Sequence, residues 1–409
     1  MERVSGKETY TPLIGYSTNV HRGETLKQVY RFLREYTIPI KQRVFGDRRA
    51  GLELRLGIGS AGDLQTAKSR RQFGEFLEEA GLELFSVNAF PLLDFHARRV
   101  KEKVYEPSWA KSERARWTNR IARIFADLLP ENTTGSLSTL GGCYRREGHD
   151  PRTFRKLAAC YLKTLETLFD LEREGKPVVL AVEPEPETTF ETVDDVVVFF
   201  EDYLLPRAFD RWKNRGSRGR VEAAVRRLFT VNVDTCHLSV LFEDQVKSLR
   251  RLERAGIRLG KLHVTNAVAL KNPYRSPAAY QDLRSMDEPR YFHQFCGVDS
   301  RGRVAWRGLD LDRLPRRLDR GGHPDIVELR SHFHVPLYLR RHLRLSTTQD
   351  DTVRAVREVL RRRSTDHLVL ETYTWPILAG EHDQQRKLIN GIVKEFRWLL
   401  GVMGAGKVL

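Results

Sequence analysis

Short β-rich apolar runs recur along this chain, and amphipathic helical stretches separate them. No other feature limits the fold as strongly. Parallel strands cannot be joined by tight turns, so each needs a crossover, and a helix with one apolar stripe supplies it. The runs fall at 13–18, 52–58, 83–90, 136–140, 178–183, 229–234, 261–265 and 368–372. Eight is the number of parallel strands that closes a (β/α)8, or TIM, barrel.

The intervening segments have helical periodicity. In 24–36, Leu26, Val29, Tyr30 and Leu33 recur at spacings of three and four. The segment 67–80 runs into Gly81, a residue suited to end a helix. Longer periodic stretches occupy 112–129 and 151–174. The stretch 348–362 opens on Thr-Gln-Asp-Asp and carries Val353, Val356 and Leu360 on one face, and 383–400 would close the ring. Only 267–329, rich in Arg, Pro and Gly, breaks the alternation. A structureless loop of that length is uncommon inside a barrel. We therefore expect one barrel over 1–409, with 267–329 as an insertion between strands seven and eight that has short elements of its own.

Composition narrows the setting. Forty per cent of residues are hydrophobic, enough for a large core. No apolar run reaches the roughly 20 residues of a membrane span. The segment 1–7 lacks the apolar stretch of a secretory leader. Cys143, Cys160, Cys236 and Cys296 are widely spaced with no Cys-x-x-Cys pair, which fits a reducing compartment. The expectation is a cytoplasmic protein. The net charge of +16 would suit nucleic acid or a phosphorylated ligand, but much of the excess is arginine spread over helical stretches such as 247–254 and 354–363. A small-molecule substrate is the favoured partner, with nucleic acid the lesser alternative; oligomeric state is not legible.

In a (β/α)8 barrel the chemistry sits where strands end. Glu183 ends the fifth run, Asp234 the sixth with His237 three residues on, His263 lies in the seventh, and Glu371 ends the eighth. Singly, each has a plain alternative as a helix cap, an ion pair or a core histidine. Together, on four successive strands, they mix carboxylate oxygen with imidazole nitrogen, a donor set for Zn, Mn, Co or Fe rather than Ca. In Ser331-His-Phe-His-Val-Pro336, His332 and His334 share a face if the segment is extended. Asn19 and His21 follow the first strand, and Asn88 and His96 the third, as further candidates to line the mouth; Asn19 could instead cap the next helix. Phe90 and Phe95 could wall a pocket. Gly57-Ile-Gly-Ser-Ala-Gly62 lacks the acidic partner of a dinucleotide loop, Gly404-Ala-Gly-Lys407 has no helix after it, and no nucleophile elbow occurs.

These strand-end residues resemble the xylose-isomerase-like TIM barrels, a superfamily of sugar-phosphate isomerases and epimerases, inosose dehydratases and endonuclease IV-type repair enzymes. Within it, Gly15-Tyr-Ser-Thr-Asn-Val-His-Arg-Gly-Glu24, Val182-Glu-Pro-Glu-Pro186, Ser331-His-Phe-His-Val-Pro336 and Glu371-Thr-Tyr-Thr-Trp375 resemble the EboE family of metabolite traffic proteins. The resemblance spans 15–375. It implies metal ligands at Glu183, Asp234, His263 and Glu371, and places His237 on substrate, as in the isomerases, or on metal, as in the endonucleases. The latter carry an Asp-x-His pair where this chain has His332 and His334, a departure that weakens a three-metal nuclease reading. Glu185 competes with Glu183; strand-end position favours Glu183.

Three activities follow as expectations. The first is an isomerase, epimerase or lyase on a sugar, cyclitol or phosphorylated derivative, with Glu183 and Glu371 as acid and base and His237, Asn19, His21, Asn88, His96, His332, His334 and Glu185 toward substrate. The second is a phosphoesterase of the endonuclease IV type, with several ions. The third is a non-catalytic barrel that binds a metabolite or partner.

Overall fold

The computed structural model describes residues 10–214, 216–318, 324–378 and 383–404. The leader reading of 1–7 and most of the glycine-rich tail at 404–407 lie outside the described residues. Among the described residues the strands are β1 (Leu13–Tyr16), β2 (Ala50–Arg55), β3 (Leu82–Asn88), β4 (Gly135–Leu140), β5 (Val178–Glu183), β6 (Phe229–Asp234), β7 (Leu259–Val264), β8 (Val268–Lys271), β9 (Phe295–Val298), β10 (Val304–Gly308), β11 (Glu328–Ser331), β12 (Arg341–His342), β13 (Leu345–Thr347) and β14 (His367–Leu370).

Eight of them form one parallel sheet in the order β1-β14-β7-β6-β5-β4-β3-β2. The sheet curls into a nearly closed barrel, and its two edges meet through a parallel bridge between Ser17 and Glu53. The seam demands glycine. A Cβ on Gly51 would stand 2.6 Å from the carbonyl oxygen of Ile14, so β1 and β2 could not approach with any side chain there. All eight strands coincide with the apolar runs. Register then aligns the chemistry: Asp234 pairs with His263, Leu140 with Glu183, and Leu370 with Val264, which sets Glu371 one residue beyond β14 beside the end of β7.

The helices Ala67–Glu79, Ser112–Leu128, Pro151–Arg173, Gln349–Arg362 and Gln384–Val402 match the periodic segments to within two residues. Their ends follow local chemistry: Asp150 caps the helix at Pro151, and Gly81 takes φ +65° just past another. The first helical segment departs from expectation. Instead of ending at 36 it passes through a π-turn, Leu33–Thr37, into Ile38–Phe45. Pro39 would break a regular helix, but here it falls in the first turn of the segment that the π-turn begins afresh.

Between β7 and β14 the chain builds a second, antiparallel sheet in the order β10-β9-β11-β8-β13-β12. It has its own apolar cluster, including Leu270, Tyr280, Leu283, Phe295, Leu329 and Leu345. Its strands run past residue 329 to Thr347, because β13 pairs with β8 through Ser346 and Ala269. Strands of two to five residues leave too short a pattern for alternation to register in the sequence. One consequence matters for the site. β11 ends at Ser331, which delivers His332 and His334 to the barrel mouth.

Candidate metal centre and mouth cavity

Asp234 shows how local folding aims a ligand. It caps the short helix Thr235–Val240: its Oδ1 accepts from the backbone N–H of Cys236 at 2.7 Å and of His237 at 3.1 Å, and from the Thr265 hydroxyl at 2.6 Å. One oxygen is thereby committed to the backbone. The other, Oδ2, is buried with no hydrogen-bond partner and faces the cluster. The same helical turn holds His237.

His263 is the centre of that cluster. Its Nδ1 lies 3.2 Å from Glu183 Oε1, 3.2 Å from Glu371 Oε2 and 3.7 Å from Asp234 Oδ2. One donor atom from each of these four residues lies within 4.8 Å of all the others, and all four residues are buried. Ligands about 2.0–2.2 Å from a tetrahedral ion stand roughly 3.3 Å apart, so the spacing fits a single divalent cation. Charge argues the same way. Among the described residues, the ion-pair contacts of the three carboxylates are all to histidine, with neither lysine nor arginine among them. Burying that much negative charge is costly without a cation.

The titration of these groups reflects the crowding. Burial pushes Asp234 up, but His237, His334 and His263 outweigh it and hold the carboxyl below its ordinary range. Burial also pushes Glu371 up, and His263 and His334 pull it below. His263 moves far upward: burial opposes its charge, and Glu371, Glu183 and Glu53 overcome both that and the repulsion of Lys261. A proton on His263 and a cation in the cluster are therefore rivals for the same electrons.

Beside this cluster stand three more imidazoles. His237 places Nδ1 3.0 Å from the carbonyl of Pro184 and Nε2 3.2 Å from Nε2 of His332. His332 Nδ1 meets Gln294 Oε1 at 2.8 Å. His334 Nδ1 bonds the Glu371 carbonyl, and its Nε2, without a hydrogen-bond partner, is 4.0 Å from Asp234 Oδ2. Glu185 groups with His237 and His332, not with His263. Burial, reinforced by Glu183, Asp234 and Glu371 against the pull of His237, raises its carboxyl to about 8.

Through Glu183 and Glu371 the cluster reaches a cavity of about 560 Å³ with its open solvent included, walled by Phe90, Phe95, Tyr105, Tyr291, Phe292 and Tyr373. Asn19 and Asn88 also line it; Asn19 donates to Glu371 Oε1 at 2.7 Å, and the Asn88 amide oxygen accepts from Phe90 N–H at 2.9 Å. The alternative role of Asn19 as a helix cap is not taken up, since Thr25 caps the helix that follows. Lys101 is the lysine or arginine among the lining residues, and it bonds Asp310, so no arginine lines this cavity among the described residues.

His21 and His96 are placed elsewhere. They line a neighbouring cavity with Arg22 and Arg290. His21 bonds the Tyr16 hydroxyl at 3.0 Å and stacks on Phe32, while His96 Nε2 meets the Asn19 carbonyl at 2.9 Å. Burial lowers both, to about 3 and about 4, so both are neutral at pH 7; His96 supports the Asn19 backbone rather than facing the cavity above the cluster.

Sequence reasoning passed over a second polar group deeper in the barrel. Lys261 Nζ bonds Glu53 Oε2, Ser138 Oγ at 2.8 Å and Ser86 Oγ at 3.2 Å. Ser86 donates to Glu53 at 2.8 Å, and Ser136 links Ser86 at 3.0 Å to His367 at 2.8 Å. A signal was present: opposite charges inside two strands that a parallel barrel buries on both faces.

No family model and no curated protein matches this sequence. Solved structures match its fold. A xylose isomerase-like TIM barrel protein from Mycobacterium smegmatis, in complex with magnesium, aligns at 12% identity and TM-score 0.51 over 97% of each chain. A D-psicose 3-epimerase, in the presence of D-fructose, aligns at 12% identity and TM-score 0.50 over 96% of this chain and 99% of that one. At such identity the likeness establishes the barrel, and the chemistry has to be argued from the site.

Proposed function

We propose that this chain is a divalent-metal-dependent isomerase, epimerase or lyase acting on a sugar or cyclitol. One observation carries the reading: Glu183, Asp234, His263 and Glu371 converge within 4.8 Å, and Glu183 and Glu371 line a cavity with an aromatic wall. The ion, when bound, supplies a Lewis acid for vicinal substrate oxygens and for negative charge that develops there. The rest of the work belongs to the side chains. Glu183 and Glu371 both lie beside His263, and Asn19 fixes the second by donating to its other oxygen. One takes a proton from a substrate carbon while the other, or the neighbouring protonated Glu185, returns one. The aromatic wall covers an apolar sugar face and excludes water. Because Lys101 is occupied by Asp310, an unphosphorylated substrate fits better than a phosphorylated one.

The four motifs that resemble the EboE family support a place in metabolite biosynthesis or traffic, and the four free, buried cysteines fit a cytoplasmic setting. The test is solvent deuterium exchange at carbon, followed by NMR over a panel of ketoses and cyclitols with metal-loaded protein. Glu371→Gln should reduce turnover by roughly 10²- to 10⁴-fold with the fold intact. Unchanged turnover would sink the assignment.

A second reading, phosphoester hydrolysis with more than one ion, is favoured by the Nε2 atoms of His237 and His332. They stand 3.2 Å apart, the spacing of two ligands on one ion. Elemental analysis separates the two: one ion per chain favours isomerisation, and two or three favour hydrolysis.

A further inference from the structure

Barrel interiors of this type are filled with branched apolar side chains. Here the layer beneath the cluster holds a fully buried lysine and glutamate. A buried ion pair adds little net stability over apolar residues of the same volume. Stability therefore does not explain why Glu53 and Lys261 are there, but their geometry relative to His263 does.

His263 is placed between two acidic neighbourhoods. Its Nδ1 faces Glu183, Glu371 and Asp234, and its Nε2 lies 3.4 Å from Glu53 Oε1. A neutral imidazole has one N–H and one lone pair, and only the lone pair can hold a cation. Against the three carboxylates alone, the ring would put its proton on Nδ1, where the ion must sit. Two neighbours oppose that: the Asn232 amide nitrogen stands 3.2 Å from Nδ1 and favours a lone pair there, and an acceptor at Nε2 draws the proton to the far side. Lys261, with Ser86, engages Oε2 of Glu53, while Oε1 and the His263 Nε2 facing it at 3.4 Å have no hydrogen-bond partner, so a proton on Nε2 would have this oxygen as its acceptor. Lys261 is itself anchored by Ser138 and Ser86, so the carboxylate is held in place from below.

We propose that Glu53, held by Lys261, is the positioning residue of the metal centre: it keeps the His263 proton on Nε2 and the Nδ1 lone pair toward Glu183, Asp234 and Glu371. The inference rests on the metal-dependent reading above and deepens it. Outer partners of this kind typically change metal affinity 10- to 100-fold.

The test uses the full chain, stripped of metal and titrated with Zn²⁺ by calorimetry. Three forms are compared: wild type, Glu53→Leu/Lys261→Met, and Glu53→Gln/Lys261→Met. Both double variants remove the charges together and so avoid an unpaired buried ion. The leucine form loses the acceptor and should bind Zn²⁺ roughly 10- to 100-fold more weakly, with its melting temperature near that of wild type. The glutamine form keeps an acceptor oxygen and should recover most of the affinity, which a merely structural role would not produce. In metal-free protein labelled with ¹⁵N-histidine, assigned with His263→Gln and brought to a pH at which the His263 ring is neutral, the ring should carry its proton on Nε2 in wild type and shift toward Nδ1 in the leucine form. A folded leucine form with wild-type affinity and an unchanged tautomer overturns the proposal, as does equal weakening in both double variants with no tautomer shift. If wild-type protein binds no Zn²⁺, the metal-dependent reading fails instead, and the tautomer measurement still decides what Glu53 does.

Discussion

Two buried polar regions lie one above the other inside this barrel. At the mouth, Glu183, Asp234 and Glu371 face histidines and leave Asp234 Oδ2 and His334 Nε2 without hydrogen-bond partners. Below, Glu53 and Lys261 balance each other, and Ser86, Ser136, Ser138 and His367 complete the network. Both regions are shut away from water, and burial pushes His367 down to about 3, so it stays neutral. Burial of charge therefore does not by itself mark a ligand site. Imbalance does: in the lower region one carboxylate meets one ammonium, and the upper one has acid in excess and atoms aimed at a shared point.

The most forceful way to break this comparison is to unbalance the lower region. Lys261→Met leaves Glu53 as an unpaired buried carboxylate and should cost about 3–5 kcal/mol in equilibrium denaturation. A loss under 1 kcal/mol would mean that Glu53 gives up its charge readily and that the pair is not the scaffold described here.

Glu395 offers an intermediate case, a lone buried carboxyl balanced by hydrogen bonds rather than charge. It accepts from the Thr372 hydroxyl at 2.6 Å, Trp375 Nε1 at 3.0 Å and the backbone N–H of Leu337 at 3.1 Å, tying the segments after Glu371 and His334 to the last helix. Burial nonetheless raises it from 4.5 to about 7. The folded chain then keeps a proton that the unfolded chain releases, so this contribution to stability is full below pH 4.5 and fades as pH rises to about 7. Glu395→Gln should flatten that part of the stability profile, a difference of up to about 3 kcal/mol across the window, measured by denaturation in chelator at a series of pH values. A variant with the wild-type slope would show that hydrogen bonding keeps Glu395 ionised.

The barrel was legible because its eight strands are buried on both faces and its helices are amphipathic, patterns that survive in sequence without any knowledge of neighbours. The cluster was legible for a related reason: Glu183, Asp234 and Glu371 sit at strand ends or one residue beyond, and strand ends converge in a barrel. Residues placed by irregular backbone were harder. His21 and His96 sit close in sequence to strands that reach the mouth, yet 3-10 and loop geometry turn them into a separate cavity. Glu53 and Lys261 lie 208 positions apart, and only closure of the barrel brings them together. The second sheet escaped because its strands are short and three of its five pairings among the described residues join strands that are not consecutive.

The smallest effect tests the comparison most sharply. If the mouth is an incomplete site, then removing one of its charges should help the metal-free chain, the reverse of what happens below. Glu183→Gln keeps the shape of the side chain and takes away one of three crowded carboxylates, so in chelator it should stabilise the fold by about 0.5–2 kcal/mol. Adding Zn²⁺ should reverse the order. Wild type gains about 2.7 kcal/mol when free ion stands 100-fold above its Kd, and the variant, short of one anionic ligand, gains less at the same concentration. Denaturation curves with and without ion measure both halves. Were Glu183→Gln destabilising in chelator, and by the same amount with Zn²⁺ present, Glu183 would be a structural residue, and the acid at the mouth would need some explanation other than a cation.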